Sequence, residues 1–470
     1  MSSDVNLTID GIPVTVPKGT RILDAAKKAN VYIPTLCDRH DLNKRALCRI
    51  CVVECDGGSK LIAACANDVW EGVNVVTNNN RILETRKTIL ELILANHPQE
   101  CLTCIKNKNC ALQSLAESFA IRSIPFERTS SGNHPQVIES GAIVRDMGKC
   151  IKCMCCVEAC QVIQAIGAIN TSGRSQDFEI CTAYGQALEK GNCAFCGQCV
   201  KVCPVGAIYE NDQTAQVWKA LGESERHVIA QVSPALTSAL SDEFGFDTNT
   251  ITTGKMIAAI KMLGFKEVFN FDVAAKASRA ERIDELENQI KYSGKSQKKL
   301  PLISGCSKGV FTFIENFFPD FIENFSTTEN PRQYFSDMIK SIYAAAANID
   351  EDNVTTVSFV PCLAQKYGIE NKNDFALTTG ELARMIKLAG IDIAGLQEEL
   401  FDIIELPKHG SAKDTDTTTE PMIVFGYAEA RKVMEAIRSG ECDAKWIEIL
   451  TCPVCAVYGN DYSQAREHDF

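Results

Sequence analysis

The 470 residues, 45% hydrophobic and 23% charged, supply enough apolar mass for several cores, so three or four domains are expected. A formal net charge of −12 argues against nucleic acid as a partner, because phosphate binding needs clustered positive charge. Twenty-three cysteines in so long a chain, opening with polar MSSDVNLT and no leader pattern, read as cytosolic metal binding rather than a secreted disulfide framework, and apolar runs such as 89–95 and 228–240 are too short or too interrupted to cross a bilayer.

Residues 5–16 alternate apolar and polar around Asp10-Gly11, which predicts a β-hairpin. After Pro17 and Gly19 the pattern turns helical, with Ile22, Leu23, Ala26 and Val31 on one face. A hairpin followed by a helix suits a β-grasp domain. Its cysteines are Cys37, then Cys48 and Cys51 in C-x2-C, then Cys65. Four thiolates with one close pair fit a 2Fe-2S cluster or a zinc ion, and spacing alone does not separate them. Cys55 lies outside the pattern and reads as a small buried hydrophobe.

A helix over 81–96 leads into HPQECLTCIKNKNC, which supplies His97, Cys101, Cys104 and Cys110. One imidazole and three thiolates complete a tetrahedral set for zinc or for the corners of a cubane. The remaining histidines, His40, His134, His227, His409 and His468, have no such company and read as ordinary surface or core residues. Residues 130–136 read as a turn-rich linker.

Between residues 150 and 203 the chain writes C-x2-C-x2-C-x3-C twice: Cys150, Cys153, Cys156, Cys160, then Cys193, Cys196, Cys199, Cys203 with Pro204 following. That is the ligand run of a two-cluster ferredoxin, in which three cysteines of one run and the fourth of the other hold each 4Fe-4S cubane. Such centres pass single electrons. Cys155 and Cys181 complete no set and are expected to be bystanders, and Gln161 stands where the second run has Pro204.

In this order the segments LCDRHDLNKRALCRICVVECDGGSKLIAAC, HPQECLTCIKNKNC and the paired ferredoxin motif resemble the front half of the large iron-sulfur subunit of respiratory complex I and of FeFe hydrogenases. Both families place a 2Fe-2S cluster, a one-His/three-Cys 4Fe-4S cluster and two ferredoxin-like cubanes in that order. The resemblance covers about residues 1–212 and implies iron rather than zinc.

From residue 228 the chain reads VIAQVSPALTSAL and then GKMIAAIKMLGFKEVFNFDVAAKASRAE, an α/β succession of strand, helix, strand and helix. It is similar to the FeFe-hydrogenase catalytic domain, with Ser233-Pro234-Ala235 at the turn after the first strand. SGCSKGVFTFIENFFPDF, VSFVPCLAQKYGIE and WIEILTCPVCAVYGN resemble that family's three signature loops. The match places Cys306 on the proton-relay cysteine and Ser307 on a cubane ligand. Cys362 is kept, but Gln365 replaces a lysine that would hydrogen-bond the two-iron subsite. The third loop shortens to Cys452-x2-Cys455, followed by Val457-Tyr458-Gly459-Asn460 in place of a glycine-rich run. The resemblance therefore implies a scaffold that has lost an intact H-cluster. Cys306, Cys362, Cys452 and Cys455 still number four, enough for a further 4Fe-4S cluster or for a packed remnant of reduced thiols. Cys442 joins neither picture, and 410–420 reads as a solvated loop.

The expected fold is multidomain, α+β and α/β: a 2Fe-2S ferredoxin-like β-grasp domain at 1–78, a one-His/three-Cys cluster domain at 79–120, a two-cluster bacterial-ferredoxin domain at 140–212, and an FeFe-hydrogenase-like α/β domain at 225–470. No Gly-rich dinucleotide fingerprint follows a strand and no P-loop is present, so no residue is assigned to nucleotide, flavin or catalysis. Hydride carries two electrons and these sites take one, which implies a flavin between nicotinamide and the chain. The resemblance is greatest to the large subunit of the Stn family of electron-bifurcating transhydrogenases. It implies a cytoplasmic hetero-oligomer with an NADH-oxidising flavin/iron-sulfur subunit, a small thioredoxin-like 2Fe-2S subunit, an NADP(H)-binding flavoprotein subunit and soluble ferredoxin, with no membrane partner. The alternatives are the catalytic subunit of an NADH-linked bifurcating FeFe hydrogenase and a non-catalytic redox sensor; a complex I subunit is disfavoured by the three hydrogenase-like loops.

Overall fold

Asp10 and Gly11 both take positive φ, 49° and 81°, the two-residue turn whose twist matches a hairpin, and they join antiparallel strands Asp4–Ile9 and Ile12–Pro17. The alternation buries Val5, Leu7, Ile9, Val14 and Val16 on one face. The computed structural model describes residues 4–39, 42, 45–127, 137–291, 300–369, 374–403 and 420–451.

The hairpin forms one edge of a five-stranded sheet whose other members are Asn74–Val76, Val52–Cys55 and Ile62–Ala63, in that spatial order. Helix Ile22–Lys28 covers it with Ile22, Leu23, Ala25 and Ala26. Val31 lies beyond the end of that helix and is only partly buried, so the apolar face stops earlier than the periodicity suggested. Arg21, almost wholly buried, grips Asp24 at 2.5 Å and Asp38 at 2.6 Å, which ties the start of the helix to the segment carrying Cys37. Helix Asn80–Ala95 begins at Asn79, whose side chain accepts from the Ile82 N–H at 2.9 Å.

Strands Ile138–Ser140, Ile143–Arg145 and Ile208–Glu210 form an antiparallel sheet that brings the two ends of the cysteine repeat together. Each repeat ends in a short helix. The second, Gln198–Val202, stops before Cys203-Pro204, as proline requires. The first, lacking that proline at Gln161, runs on past Cys160 as the π-helical turn Ala159–Ile163.

The C-terminal half is built on two parallel sheets. One orders Glu267–Asn270, His227–Val232, Val354–Val360 and Asp374–Thr378; the other orders Leu302–Gly305, Trp446–Leu450 and Met422–Phe425. Every residue of Val354–Val360 and of Trp446–Leu450 is buried, polar Thr355, Thr356, Ser358 and Glu448 included, as expected of strands covered by helices on both faces. Helices Thr253–Met262, Phe271–Lys291, Pro331–Ala347, Thr379–Leu388 and Tyr427–Ser439 supply that cover. Among the described residues no helix is long and apolar enough to cross a membrane.

Candidate iron-sulfur sites and the strand-end loops

The two cysteine runs fold as copies. In the first loop Lys152 and Met154 take positive φ, 55° and 65°; at the same places in the second, Phe195 and Gly197 take 51° and 78°. These left-handed residues turn backbone N–H groups toward sulfur: Lys152 donates to Cys150 Sγ at 3.3 Å, and Phe195 donates to Cys193 Sγ at 3.4 Å. Such donors favour the charged thiolate that an iron centre requires. The charges acting on each thiol also cross between the runs. Cys156 feels Cys150, Cys153 and Cys203, while Cys199 feels Cys196, Cys193, Cys156 and Cys160. The fourth cysteine of each run is thus among the charges acting on thiols of the other run. Burial pushes Cys150 up to about 12 and pushes Cys156 and Cys199 well above the ordinary thiol range. Thiols raised in this way need a compensating cation to ionise, which the iron of a cluster would supply.

The set at Cys37, Cys48, Cys51 and Cys65 divides into two pairs. Cys37 and Cys48 share a hydrogen bond that lowers Cys48 to about 6 and raises Cys37; Cys65 stands in the same relation to Cys51, which is lowered. Two pairs of sulfurs suit two irons. Cys55, half-buried in strand Val52–Cys55, is raised to about 11 by burial and by Asp56 and Glu54, the state of an inert thiol. Cys155 lies against this set: its Sγ is 3.6 Å from the Cys37 carbonyl oxygen and it hydrogen-bonds Cys153, lowering the latter. Arg39, two residues past Cys37, donates to the Lys201 carbonyl at 2.9 Å. The 2Fe-2S candidate thus abuts the set Cys150, Cys153, Cys156, Cys203.

His97, Cys101, Cys104 and Cys110 line one cavity with Lys149 and Gly206. The His97 ring bonds the Lys149 backbone, yet its buried Nδ1 has no hydrogen-bond partner, and burial lowers its proton affinity. A neutral imidazole with a vacant buried nitrogen, lining one cavity with three thiols, is a fit donor for iron. Gly206 is obligatory here, because a Cβ on it would stand 2.6 Å from Cys104 Sγ. Lys149 precedes Cys150, so this set adjoins the same cubane from another side. Among the described residues no three such side chains close to single-ion distance; a cluster spreads its ligands over several irons.

In the C-terminal half the notable residues gather where open parallel sheets bind ligands, at the carboxyl ends of strands. Ser233 follows His227–Val232, Cys306 follows Leu302–Gly305, Cys362 follows Val354–Val360, and Thr451 follows Trp446–Leu450. Cys306 is buried, its Sγ 3.1 Å from Thr451 Oγ1, which is in turn 3.3 Å from Ser307 Oγ. Burial pushes the Tyr427 phenol well above its usual range, with Cys306, Cys196 and Cys193 adding to the rise, so the second cubane set and Cys306 flank one ring. The cavity bounded by Ser233, Phe271, Pro361 and Gln365 holds about 10 Å³, the room of a single water. Lys366, beside Gln365, does not stand in for the absent lysine. Its Nζ pairs with Glu381 at 2.5 Å, both side chains fully buried. Cys452 and Cys455 lie outside the described residues, as do His40, His134, His409, His468, the 130–136 linker and 410–419. His227 Nδ1 meets the Tyr343 hydroxyl at 3.1 Å, and Cys181 and Cys442 join no set. Arg86 and Arg145, both buried beside cluster thiols, escaped the sequence reading because no spacing marks them.

A row of thiol sets feeding a parallel α/β unit defines a modular iron-sulfur protein. A family model described as the C-terminal domain of the iron only hydrogenase large subunit matches residues 226–414. Models for a 2Fe-2S iron-sulfur cluster binding domain, the NADH-ubiquinone oxidoreductase-G iron-sulfur binding region and the ferredoxin-like domain of NADH-quinone oxidoreductase subunit 3 match 2–80, 86–125 and 140–209. The chain is 39% identical over 416 residues to the NADP-reducing hydrogenase subunit HndD of Solidesulfovibrio fructosivorans, spanning 85% of this chain and 71% of that protein. It is 28% identical over 413 residues to iron hydrogenase 1 of Clostridium pasteurianum, spanning 84% and 70%. It is 36% identical over 208 residues to the alpha subunit of the NADPH-Fe(3+) oxidoreductase of Geobacter sulfurreducens, spanning 43% and 24%. The chain belongs to the iron-only hydrogenase large-subunit family, with a front half similar to the iron-sulfur regions of complex I.

Proposed function

We propose that this chain is the iron-sulfur electron-transfer subunit of a cytoplasmic, flavin-based bifurcating complex that couples NADH, ferredoxin and a third acceptor, NADP, without hydrogen chemistry of its own. One 2Fe-2S cluster would be held by Cys37, Cys48, Cys51 and Cys65. Three 4Fe-4S clusters would be held by His97, Cys101, Cys104 and Cys110; by Cys150, Cys153, Cys156 and Cys203; and by Cys193, Cys196, Cys199 and Cys160. When bound, these clusters supply one-electron transfer between partner proteins. The chain's own part is to hold four ligand sets in contact, exclude water from the two cubane sets, and aim N–H donors at their sulfurs.

The observation that carries the loss of hydrogen chemistry is the pocket at Gln365. A two-iron subsite needs space and a cation; among the described residues the cavity beside Gln365 holds about 10 Å³, and the neighbouring cation, Lys366, is paired with Glu381. A further cluster on Cys306, Cys362, Cys452 and Cys455 belongs to this proposal as an option: a strand end supplies each of Cys306 and Cys362. The partners follow from chemistry, since nicotinamide must meet a flavin before single electrons are available. They are an NADH-oxidising flavin/iron-sulfur subunit, a thioredoxin-like 2Fe-2S subunit, an NADP(H)-binding flavoprotein subunit and soluble ferredoxin.

Anaerobic purification of the native complex, followed by assay of ferredoxin, NAD, NADP and H2 in all pairings, tests the reading. NADPH formation from NADH plus reduced ferredoxin supports it, and hydrogen evolution at turnover rates overturns it. Iron content of about 14 per chain reports four clusters and about 18 a fifth. The second reading, the hydrogen-converting subunit itself, is favoured by the extent of similarity to HndD. Infrared bands of bound CO and CN in matured protein would establish it in place of the first.

A further inference from the structure

Arg145 is 2% exposed and ends the strand Ile143–Arg145, opposite Ile208. Its guanidinium reaches neutral partners alone: Nη1 donates to Thr182 Oγ1 and Nη2 to the Ile180 carbonyl, both at 3.3 Å. Nε is buried with no partner. Among the described residues no carboxylate pairs with it. A guanidinium keeps its charge, so the fold has sealed a cation in a low-dielectric interior, which is unfavourable unless an anion offsets it. The anion at hand is sulfur. The Arg145 charge acts on Cys156, and Cys203 sits beside the strand paired to Arg145, drawing hydrogen bonds from Val205, Ile208 and Ala207. At the second set the charges acting on Cys193 and Cys199 are other thiols and the exposed Glu189.

We infer that Arg145 is the built-in counter-charge of the cubane held by Cys150, Cys153, Cys156 and Cys203, and that it sets this centre at a higher potential than the cubane held by Cys193, Cys196, Cys199 and Cys160. The inference rests on the cluster assignment above. Reduction brings one electron from an external reductant and breaks no bond, so Arg145 meets one more negative charge after the step than before it. A fixed cation favours the reduced state by that difference. Arg86 has a similar place at the neighbouring 2Fe-2S set: it is 3% exposed, Nη2 donates to the Val52 carbonyl at 2.8 Å, Nε is unpartnered, and the charges acting on it are Cys51 first and then Asp10. Two buried cations, one at the first cubane set and one at the 2Fe-2S set, favour the reduced state at that end of the row relative to the second cubane.

The test is a dithionite redox titration of the iron-loaded full-length chain, followed by electron paramagnetic resonance, for wild type, Arg145→Gln and Arg145→Lys. Signals are assigned to the first cubane by their perturbation in Cys153→Ser. Gln keeps donors toward Thr182 and Ile180 without the charge. Arg145→Gln is expected to lower the reduced-to-oxidised ratio of the first cubane at fixed potential by at least about tenfold, equivalent to 59 mV for one electron, with the second cubane unmoved. Arg145→Lys is expected to stay near wild type. An unchanged midpoint in Arg145→Gln, or equal shifts in both cubanes, overturns the inference. Loss of iron from the Gln variant with retention in the Lys variant supports it, and loss from both marks a structural role and overturns it. Wild-type protein lacking the four signals would instead refute the cluster assignment itself.

Discussion

Phe195 and Tyr367 stack with ring centroids 3.7 Å apart and planes 13° from parallel. Phe195 lies between Cys193 and Cys196, and Tyr367 lies five residues past Cys362, so the stack joins the second cubane loop to a strand-end loop of the C-terminal half. The joint continues nearby. The Tyr427 hydroxyl donates to the Ala194 carbonyl at 3.5 Å, and a Cβ on Gly309 would stand 2.1 Å from that same oxygen.

That close approach gives a first expectation. Gly309→Ala forces helix Lys308–Phe317 away from Ala194, because a carbonyl in a ligand loop cannot yield as a flexible side chain can. Overpacking of this kind costs about 1–3 kcal/mol. Thermal unfolding of the iron-loaded chain should show a lower midpoint, and the spectrum of the second cubane should broaden. An unchanged midpoint and spectrum would mean that the two halves are not held through this contact.

Gly206→Ala acts on one site alone. The added methyl would meet Cys104 Sγ at 2.6 Å, and the ligand must move or leave. Iron content should fall by about four per chain, with loss of the signal that His97→Ala also removes, while the 2Fe-2S signal persists. Retention of all iron would place Cys104 outside the ligand set.

The two C-x2-C-x2-C-x3-C runs were legible in the sequence as candidate ligand loops because two or three residues between cysteines fix their separation covalently. Asp10-Gly11 announced its hairpin for the same local reason. The features that tune the sites were not legible. Arg145 finds Thr182 and the Ile180 carbonyl from another strand, Lys366 finds Glu381 through a helix packed over a strand, and Cys155 meets Cys37 over 118 residues of chain. Such contacts come from packing and carry no periodic signal. The apolar face read through Val31 failed in a smaller way: Asn30 takes positive φ, 57°, and the chain leaves the helix before Val31.

Cys155 supplies a discriminating pair. It is buried against Cys153 and the Cys37 carbonyl yet belongs to no set, whereas Cys153 does. Cys155→Ser should keep the full iron content, since a hydroxyl still donates toward Cys153. Cys153→Ser should lose or convert the first cubane. Equal iron loss in the two variants would make Cys155 a ligand and redraw the set.

Lys366 and Glu381 make the last case. Burial raises the Glu381 carboxyl above its ordinary range against the pull of Lys366, and the carboxylate also accepts from the Thr378 N–H at 2.7 Å and the Gln213 N–H at 3.0 Å. Lys366→Met removes the cation and leaves that charge buried, a loss of about 3–5 kcal/mol. The sign of the pH dependence follows. A carboxyl raised in the folded state contributes stability below its unfolded value, and that contribution is lost as pH rises through the raised value. The deficit of Lys366→Met relative to wild type should therefore grow with pH above about 4.5, the usual carboxyl range. Adding Glu381→Gln, which keeps an acceptor for Thr378 and Gln213 without the charge, should recover most of the loss and flatten the pH profile. Denaturant titrations between about pH 4 and 8 measure both effects, and a deficit that stays constant across that whole range would show that Glu381 does not carry the buried charge.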